Sequence, residues 1–171
     1  MLNPEIQDAF NKQINAELYS AYLYLSMAAH FEARSLVGMA HWMRIQAQEE
    51  VGHAMRFFDF INDRDGRVTL TEIASPKTKW SSPLEVFQDA YEHEQKVTGL
   101  INGLSNLAAN SKDHAAHNFL EWFVNEQVEE ENTVRTIVDQ LKLVGEDGVG
   151  QVIMDGRLGQ RTAAPASPQA E

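Results

Sequence analysis

Four glutamates, Glu17, Glu50, Glu94 and Glu130, each stand in the middle of a helical stripe of otherwise largely apolar residues, and His53 follows the second of them by three positions. Steps of three and four give Phe10, Ile14, Glu17, Ala21, Tyr24, Ala28 and Phe31 on the first segment, and Met39, Met43, Gln46, Glu50, His53, Phe57 and Phe60 on the second. The third reads Leu84, Phe87, Tyr91, Glu94, Thr98, Ile101, and the fourth Ala116, Leu120, Phe123, Gln127, Glu130, Val134, Ile137, Leu141. Such stripes face the interior of a helical bundle. A buried, unpaired carboxylate costs several kcal/mol, and like charges sharing a site add to that. No Lys or Arg lies on the stripes to neutralise them. A cation must do so, or the acids must hold protons. A single acid or histidine on an apolar stripe is usually a hydrogen-bonded or snorkelling residue; four acids at one level are hard to obtain that way.

The levels match. Glu17 precedes Ser35 by 18 residues and Glu50 follows it by 15; Glu94 precedes Ser111 by 17 and Glu130 follows it by 19. At about 1.5 Å per residue these offsets differ by only a few ångströms. Glu50-Val51-Gly52-His53 places a carboxylate and an imidazole one turn apart on one face. Four carboxylates with one imidazole make a hard-oxygen site suited to Fe, Mn, Mg or Zn rather than Cu(I).

The elements that must position these residues are legible from their ends. Asn3-Pro4-Glu5 supplies an N-cap, a proline at the first helical position and an acid in the first turn, opening a helix that runs to about Arg34. A tight turn near Ser35 leads to a second helix ending about Asp63. Ser82-Pro83-Leu84-Glu85 is an S-x-x-E capping box for a third, running to about Asn110. The fourth runs from near Asp113 to Val144, where Gly145 offers a stop. The two short connections predict two antiparallel hairpins. The long stretch Arg64 to Ser82 then has to carry the chain from one end of the bundle to the other. Glu146 to about Leu158 predicts a short fifth helix. The expected architecture is all-α, a four-helix bundle with one long crossover, over residues 1–158. Residues 159–171, with Pro165 and Pro168, read as a flexible tail.

The chain has 171 residues, 43% apolar, with a formal net charge of −11 and no cysteine. The length suits one domain with a substantial core. The charge argues against nucleic acid as a partner. The missing cysteine removes thiolate zinc sites, iron–sulfur clusters and thiol nucleophiles. No apolar run reaches the roughly 20 residues of a membrane span, and Met1–Phe10 has no signal-peptide pattern, so a cytoplasmic location is expected.

Glu17-Leu18-Tyr19 with Tyr24, Glu49-Glu50-Val51-Gly52-His53, Glu94, Glu126-Gln127-Val128-Glu129-Glu130, the Ser-Pro start of the third helix and Phe119-Leu120-Glu121-Trp122 together resemble the bacterial non-haem ferritins. The resemblance covers roughly residues 1–158 and implies the ferritin-like fold, a four-helix bundle with a short fifth helix. It implies an iron-storage homo-oligomer, a 24-subunit shell, in which Fe(II) is oxidised by O2 or H2O2 at a di-iron site and stored as mineral. It implies that Glu17, Glu50 and His53 bind one iron and that Glu50 bridges to a second held by Glu94 and Glu130, with Gln127 close by. Symmetric di-iron carboxylate proteins carry a second E-x-x-H on the fourth helix. Here Gln127 and Glu130 stand in those places, so the second position lacks imidazole and should release iron more readily. Haem-binding relatives place Met where this chain has Val51, so no haem is expected. Glu49, Glu126 and Glu129 match acids that form a third iron site in bacterial ferritins; a solvated acidic face is the alternative. Tyr24 and Trp122 match aromatics that can donate electrons, or serve packing alone.

Other motifs are weaker. Asn62–Glu72 is a near miss for an EF-hand, with Ile61 where the first acid belongs, and reads as a helix exit. His30, His41, His93, His114 and His117 read as surface histidines. Two other functions use the same pattern: a di-metal carboxylate oxygenase or peroxide reductase, and a helical interaction protein without metal.

Overall fold

A computed structural model of the chain describes residues 2–163. It contains α1 (Pro4–Glu32), α2 (Val37–Asp63), α3 (Pro83–Asn110), α4 (His114–Val144) and α5 (Gly148–Leu158). The expected tail beyond Ala163 lies outside the described residues.

The helix starts are built by side chains that accept otherwise orphaned amides. Asn3 accepts from Glu5 N at 2.9 Å, Ser82 from Glu85 N at 3.1 Å, Asp113 from Ala116 N at 3.0 Å and Asp147 from Gly150 N at 2.9 Å. The predicted capping box closes only on one side. Glu85 reaches back to the amide of Ser81, at 2.7 Å, one residue before the cap. α2 has no cap of its own; Asp155 of α5 accepts from Met39 N at 2.8 Å in its place. The turns between α1 and α2, and between α3 and α4, pass through positive φ at Ser35 (60°) and Lys112 (54°), and Gly145 ends α4 at φ 60°.

α1 packs along α2 and α3 along α4, as two hairpins joined through α1 and α3, with α5 laid on α2 and α4. The crossover, residues 64–82, is fastened along the outside of α1. Gln7 accepts from Arg67 N (2.8 Å), Asn11 bonds both Arg67 O (3.0 Å) and Thr69 N (2.8 Å), Asn15 donates to Glu72 O (2.9 Å) and Ser26 to Lys77 O (2.6 Å). Arg34 completes the seam on the carbonyls of Trp80 and Ser81, both at 3.0 Å. These polar bonds satisfy loop backbone that has no ladder or helix partner.

The apolar core is divided. One cluster holds Tyr24, Met27, Phe31, Met39, Met43, Phe87, Ile137 and Leu141. The other holds Ile6, Phe10, Phe57, Ile61, Ile101, Leu120 and Phe123. The stripes of α1 and α4 are buried as the spacing predicts. On α3 the buried line is instead Val86, Phe87, Ala90, Glu94, Val97, Ile101 and Leu104; Leu84, Tyr91 and Thr98 are only half-buried. Phe60 of α2 is likewise at the margin. Steps of three and four run equally well through Phe87, Ala90, Glu94, Val97 and Ile101, and this is the line the fold buries.

Candidate metal centre

Between the two apolar clusters lies a layer of buried polar groups. Glu17, Glu50 and Glu94 are each 1% exposed, His53 6% and Glu130 9%. Each comes from the middle of its helix, so the four elements contribute at one height, as the sequence offsets require. Ligand atoms of Glu17, Glu50 and His53 lie within 4.8 Å of one another, and so do those of Glu50, Glu94 and Glu130. Glu50 belongs to both groups. A third group of the same tightness joins His53, Glu126 and Glu130.

Neutral donors hold the carboxylates in place. Gln13 Nε2 donates to Glu17 Oε1 and Gln46 Nε2 to Glu50 Oε1, both at 2.9 Å. Gln46 Nε2 also reaches Glu130 Oε1 at 2.9 Å. Gln127 Nε2 lies 3.2 Å from Glu94 Oε2, and the Tyr24 hydroxyl donates to Glu94 Oε1. His53 Nδ1 lies 3.2 Å from Glu50 Oε2. After all these bonds, Glu17 Oε2 and Glu130 Oε2 remain buried with no hydrogen-bond partner. Orphaned carboxylate oxygens in a dry layer are the arrangement expected where a cation completes the site.

The charges tell the same story. Burial raises the pKa of Glu50 well above 4.5, and the nearby Glu94 and Glu17 push it further. Burial likewise raises Glu130 strongly, with Glu50 and Glu94 adding to it. Glu17 and Glu94 are raised by burial, against the opposing pull of His53. Burial and the Glu94 charge push the Tyr24 phenol well above 10. Burial and mutual repulsion thus both oppose ionisation of the layer, and a divalent ion would offset both.

Glu49, Glu126 and Glu129 line an adjoining pocket of about 260 Å³ with Gln46, Glu130 and Arg161. Among the described residues, the tight ligand groups include Glu126 but neither Glu49 nor Glu129. Glu49 is ion-paired to Arg161, and Glu129 is exposed.

The chain from residue 7 to residue 144 matches the model of the ferritin-like domain family, Ferritin. The chain belongs to that family. It is 45% identical over 161 residues to a bacterial non-heme ferritin of Bacteroides fragilis, covering 94% of this chain and 100% of that protein. It is 40% identical over 158 residues to the bacterial non-heme ferritin of Escherichia coli O157:H7, covering 92% and 96%. Among solved structures, the open pore ferritin of the hyperthermophilic archaeon Archaeoglobus fulgidus superposes with a TM-score of 0.94 at 48% identity, over 95% of this chain and 100% of that one.

Several residues of this ferritin-family site carried no functional signal in the sequence. Gln13 and Gln46 each stand four residues before the glutamate they hold, so an amide one turn ahead of a core acid was the available clue. Arg56 stacks 3.9 Å over Trp122, whose ring meets His53 edge-on at 5.4 Å. His93 is not a surface histidine. It is largely buried, bonded to Ser20 Oγ at 2.7 Å, and burial together with Lys96 pulls its pKa down to about 4. His30 is half-buried against Trp80. His41 and His114 are exposed as expected. Among the described residues, no helix is long and apolar enough to cross a membrane.

Proposed function

We propose that the chain, through its domain of residues 1–158, is an iron-storage subunit with ferroxidase activity, oxidising Fe(II) at the buried carboxylate layer. The observation that carries this reading is Glu50, shared by two ligand groups whose outer members, Glu17 and Glu130, each keep one buried oxygen without a partner. A bridging carboxylate flanked by two such groups fits a pair of hard cations.

In this reading Glu17, Glu50 and His53 hold one Fe(II), and Glu50, Glu94 and Glu130 hold the other, with Gln127 steadying Glu94. Iron is the substrate, and no haem is assigned. Two Fe(II) held together supply two electrons at once to O2 or H2O2, which takes up two protons with them. The residues of the chain provide neutralising charge, spacing and exclusion of water. A divalent ion held by Glu50 and Glu130 would outweigh the desolvation and repulsion that raise their pKa, and so favour their ionised forms. Tyr24, hydrogen-bonded to Glu94, is positioned to give one electron to the same O2 or H2O2 and its proton to that carboxylate. Imidazole serves only the first position, so the second holds Fe(III) less firmly and passes it on to the mineral.

The assembly assigned is a cytoplasmic homo-oligomeric shell of 24 subunits. Aerobic addition of Fe(II), followed by the near-ultraviolet absorbance of Fe(III), tests the chemistry. The native protein should show a fast phase amounting to two Fe(II) per subunit, and Glu50→Ala should abolish it without changing the size-exclusion profile. A Glu50→Ala protein with the full fast phase would overturn the assignment. Elution near a dimer rather than at several hundred kilodaltons would overturn the shell.

A further inference from the structure

The acidic pocket beside the carboxylate layer already contains a cation of the protein's own. Arg161, three residues beyond the end of α5, ion-pairs through Nη2 with Glu49 Oε2. Its Nη1 donates to the Trp42 carbonyl at 3.4 Å, and its guanidinium carbon lies 4.3 Å over the Trp42 ring. The Arg161 backbone carbonyl accepts from His41 Nε2 at 2.9 Å. Both members of the ion pair are about one-fifth exposed, at 21% and 20%. The side chain is therefore anchored on three sides, and the backbone that carries it is pinned as well, unlike a mobile surface arginine.

The pocket that receives it is lined by Glu49, Glu126, Glu129 and Glu130. Glu130 is only 9% exposed, and its Oε2 has no partner. Glu126 and Glu130 also place ligand atoms within 4.8 Å of one another and of His53. One guanidinium balances one of these acids, while Glu130, which also lines the pocket, keeps a buried oxygen without a partner.

We propose that Arg161 is a tethered counter-ion that competes with a third divalent cation for this pocket, and so sets how many ions the subunit holds. The proposal rests on the ferroxidase reading of the neighbouring pair. With Arg161 on Glu49, the pocket is partly neutralised and a further ion binds weakly. A divalent ion that takes Glu49 and Glu126 must displace the guanidinium from its carboxylate and from the Trp42 face. The segment 159–163 then loses its fastening to α2. Iron load at the site is thereby coupled to release of the residues that follow α5.

Anaerobic calorimetric titration with Zn(II), which binds oxygen and nitrogen ligands without redox chemistry, tests this on the full chain as assembled. The native protein should take two ions tightly and a third weakly or not at all. Arg161→Gln should keep the first two affinities and bind the third about tenfold tighter or more, the scale of removing one competing, partly buried cation. Arg161→Lys, with its charge but not its fork or its stacking, should fall between. Hydrogen exchange at residues 159–163 should rise in the native protein at saturating Zn(II). Equal third-ion affinity in the native and Gln proteins, or loss of the first two ions in the Gln protein, overturns the proposal. A native protein that takes fewer than two ions instead overturns the ferroxidase reading, and this inference with it.

Discussion

Gln46 Nε2 stands 2.9 Å from Glu130 Oε1, a bond that ties α2 to α4 straight across the acidic layer. The same nitrogen holds Glu50 Oε1 at 2.9 Å, so one amide steadies the carboxylate shared by both ligand groups and the acid opposite it. Gln46→Leu removes both bonds and leaves Glu130 with neither oxygen partnered, since Oε2 already has none. Losing hydrogen bonds from buried acceptors costs about 1–3 kcal/mol. Denaturant unfolding of the metal-free variant should show a loss of about 2 kcal/mol. Loading with Zn(II) should recover part of it, because the ion supplies what the amide no longer does. A variant as stable as the native protein in both states would remove Gln46 from the site.

The raised carboxylates give metal-free protein an unusual pH dependence. A glutamate whose pKa is higher folded than unfolded contributes stability that is complete below its unfolded value, near 4.5, and is lost as pH rises through the folded value. Metal-free protein should therefore lose thermal stability from about pH 5 upward, while Zn(II)-loaded protein should not, and the gap in Tm should widen towards pH 8. Glu130→Gln removes one of the two most strongly raised acids while keeping an oxygen for Gln46. It should raise the metal-free Tm at pH 8 by several degrees and abolish the fast oxidation phase. A Tm gap that does not change with pH would contradict the arrangement of charge described here.

Asp113 works in the opposite direction. Its carboxylate caps α4 through Ala116 N and takes Arg64 on both oxygens, each at 3.1 Å, which locks the end of α2 to the start of α4. The Arg64 bonds hold its pKa below the usual 3.8, so its contribution is present above that value and lost as pH falls through the depressed one. Asp113→Ala should cost about 1–2 kcal/mol at pH 7, with the difference from native protein shrinking as pH falls below 3.8 and through the depressed value. Equilibrium unfolding at pH 7 and along a series into the acid range measures it.

The parts of the molecule that were legible in the sequence are those where one residue type does one job. Asn3-Pro4 and Ser82-Pro83 open helices because a polar cap and a proline have few other uses at adjacent positions. The four glutamates stood out because an acid on an apolar stripe is costly wherever the stripe is buried. On α3 the steps of three and four fit two lines, one through Tyr91 and Thr98 and one through Ala90 and Val97, and spacing alone does not choose between them, whereas the fold buries the second. The seam of Gln7, Asn11, Asn15 and Ser26 under the crossover is invisible for a different reason. Amides and hydroxyls at helical spacing look the same whether they meet water or a neighbouring backbone. Arg161 was hidden likewise, since nothing local to residues 159–163 says that Glu49 and Trp42 lie beside them.

The docking of α5 rests on a contact only glycine permits. A Cβ at Gly38 would lie 1.8 Å from the backbone oxygen of Asp155, and that oxygen belongs to a helix and cannot swing away. Helix propensity alone predicts that Gly38→Ala, within α2, stabilises by about 1 kcal/mol. The close approach predicts the reverse, a loss of about 1–3 kcal/mol from forced separation, together with loss of the Asp155 cap on Met39 N. Because the two effects have opposite signs, the sign of the measured change decides between them. Hydrogen exchange should quicken across 148–158 and at the first turn of α2, while the amides of α1, α3 and α4 stay protected. The fast phase of Fe(II) oxidation should persist, since none of the clustered carboxylates lies on α5. An Ala variant that is more stable and leaves α5 protected would mean that α5 does not sit on α2 as closely as described.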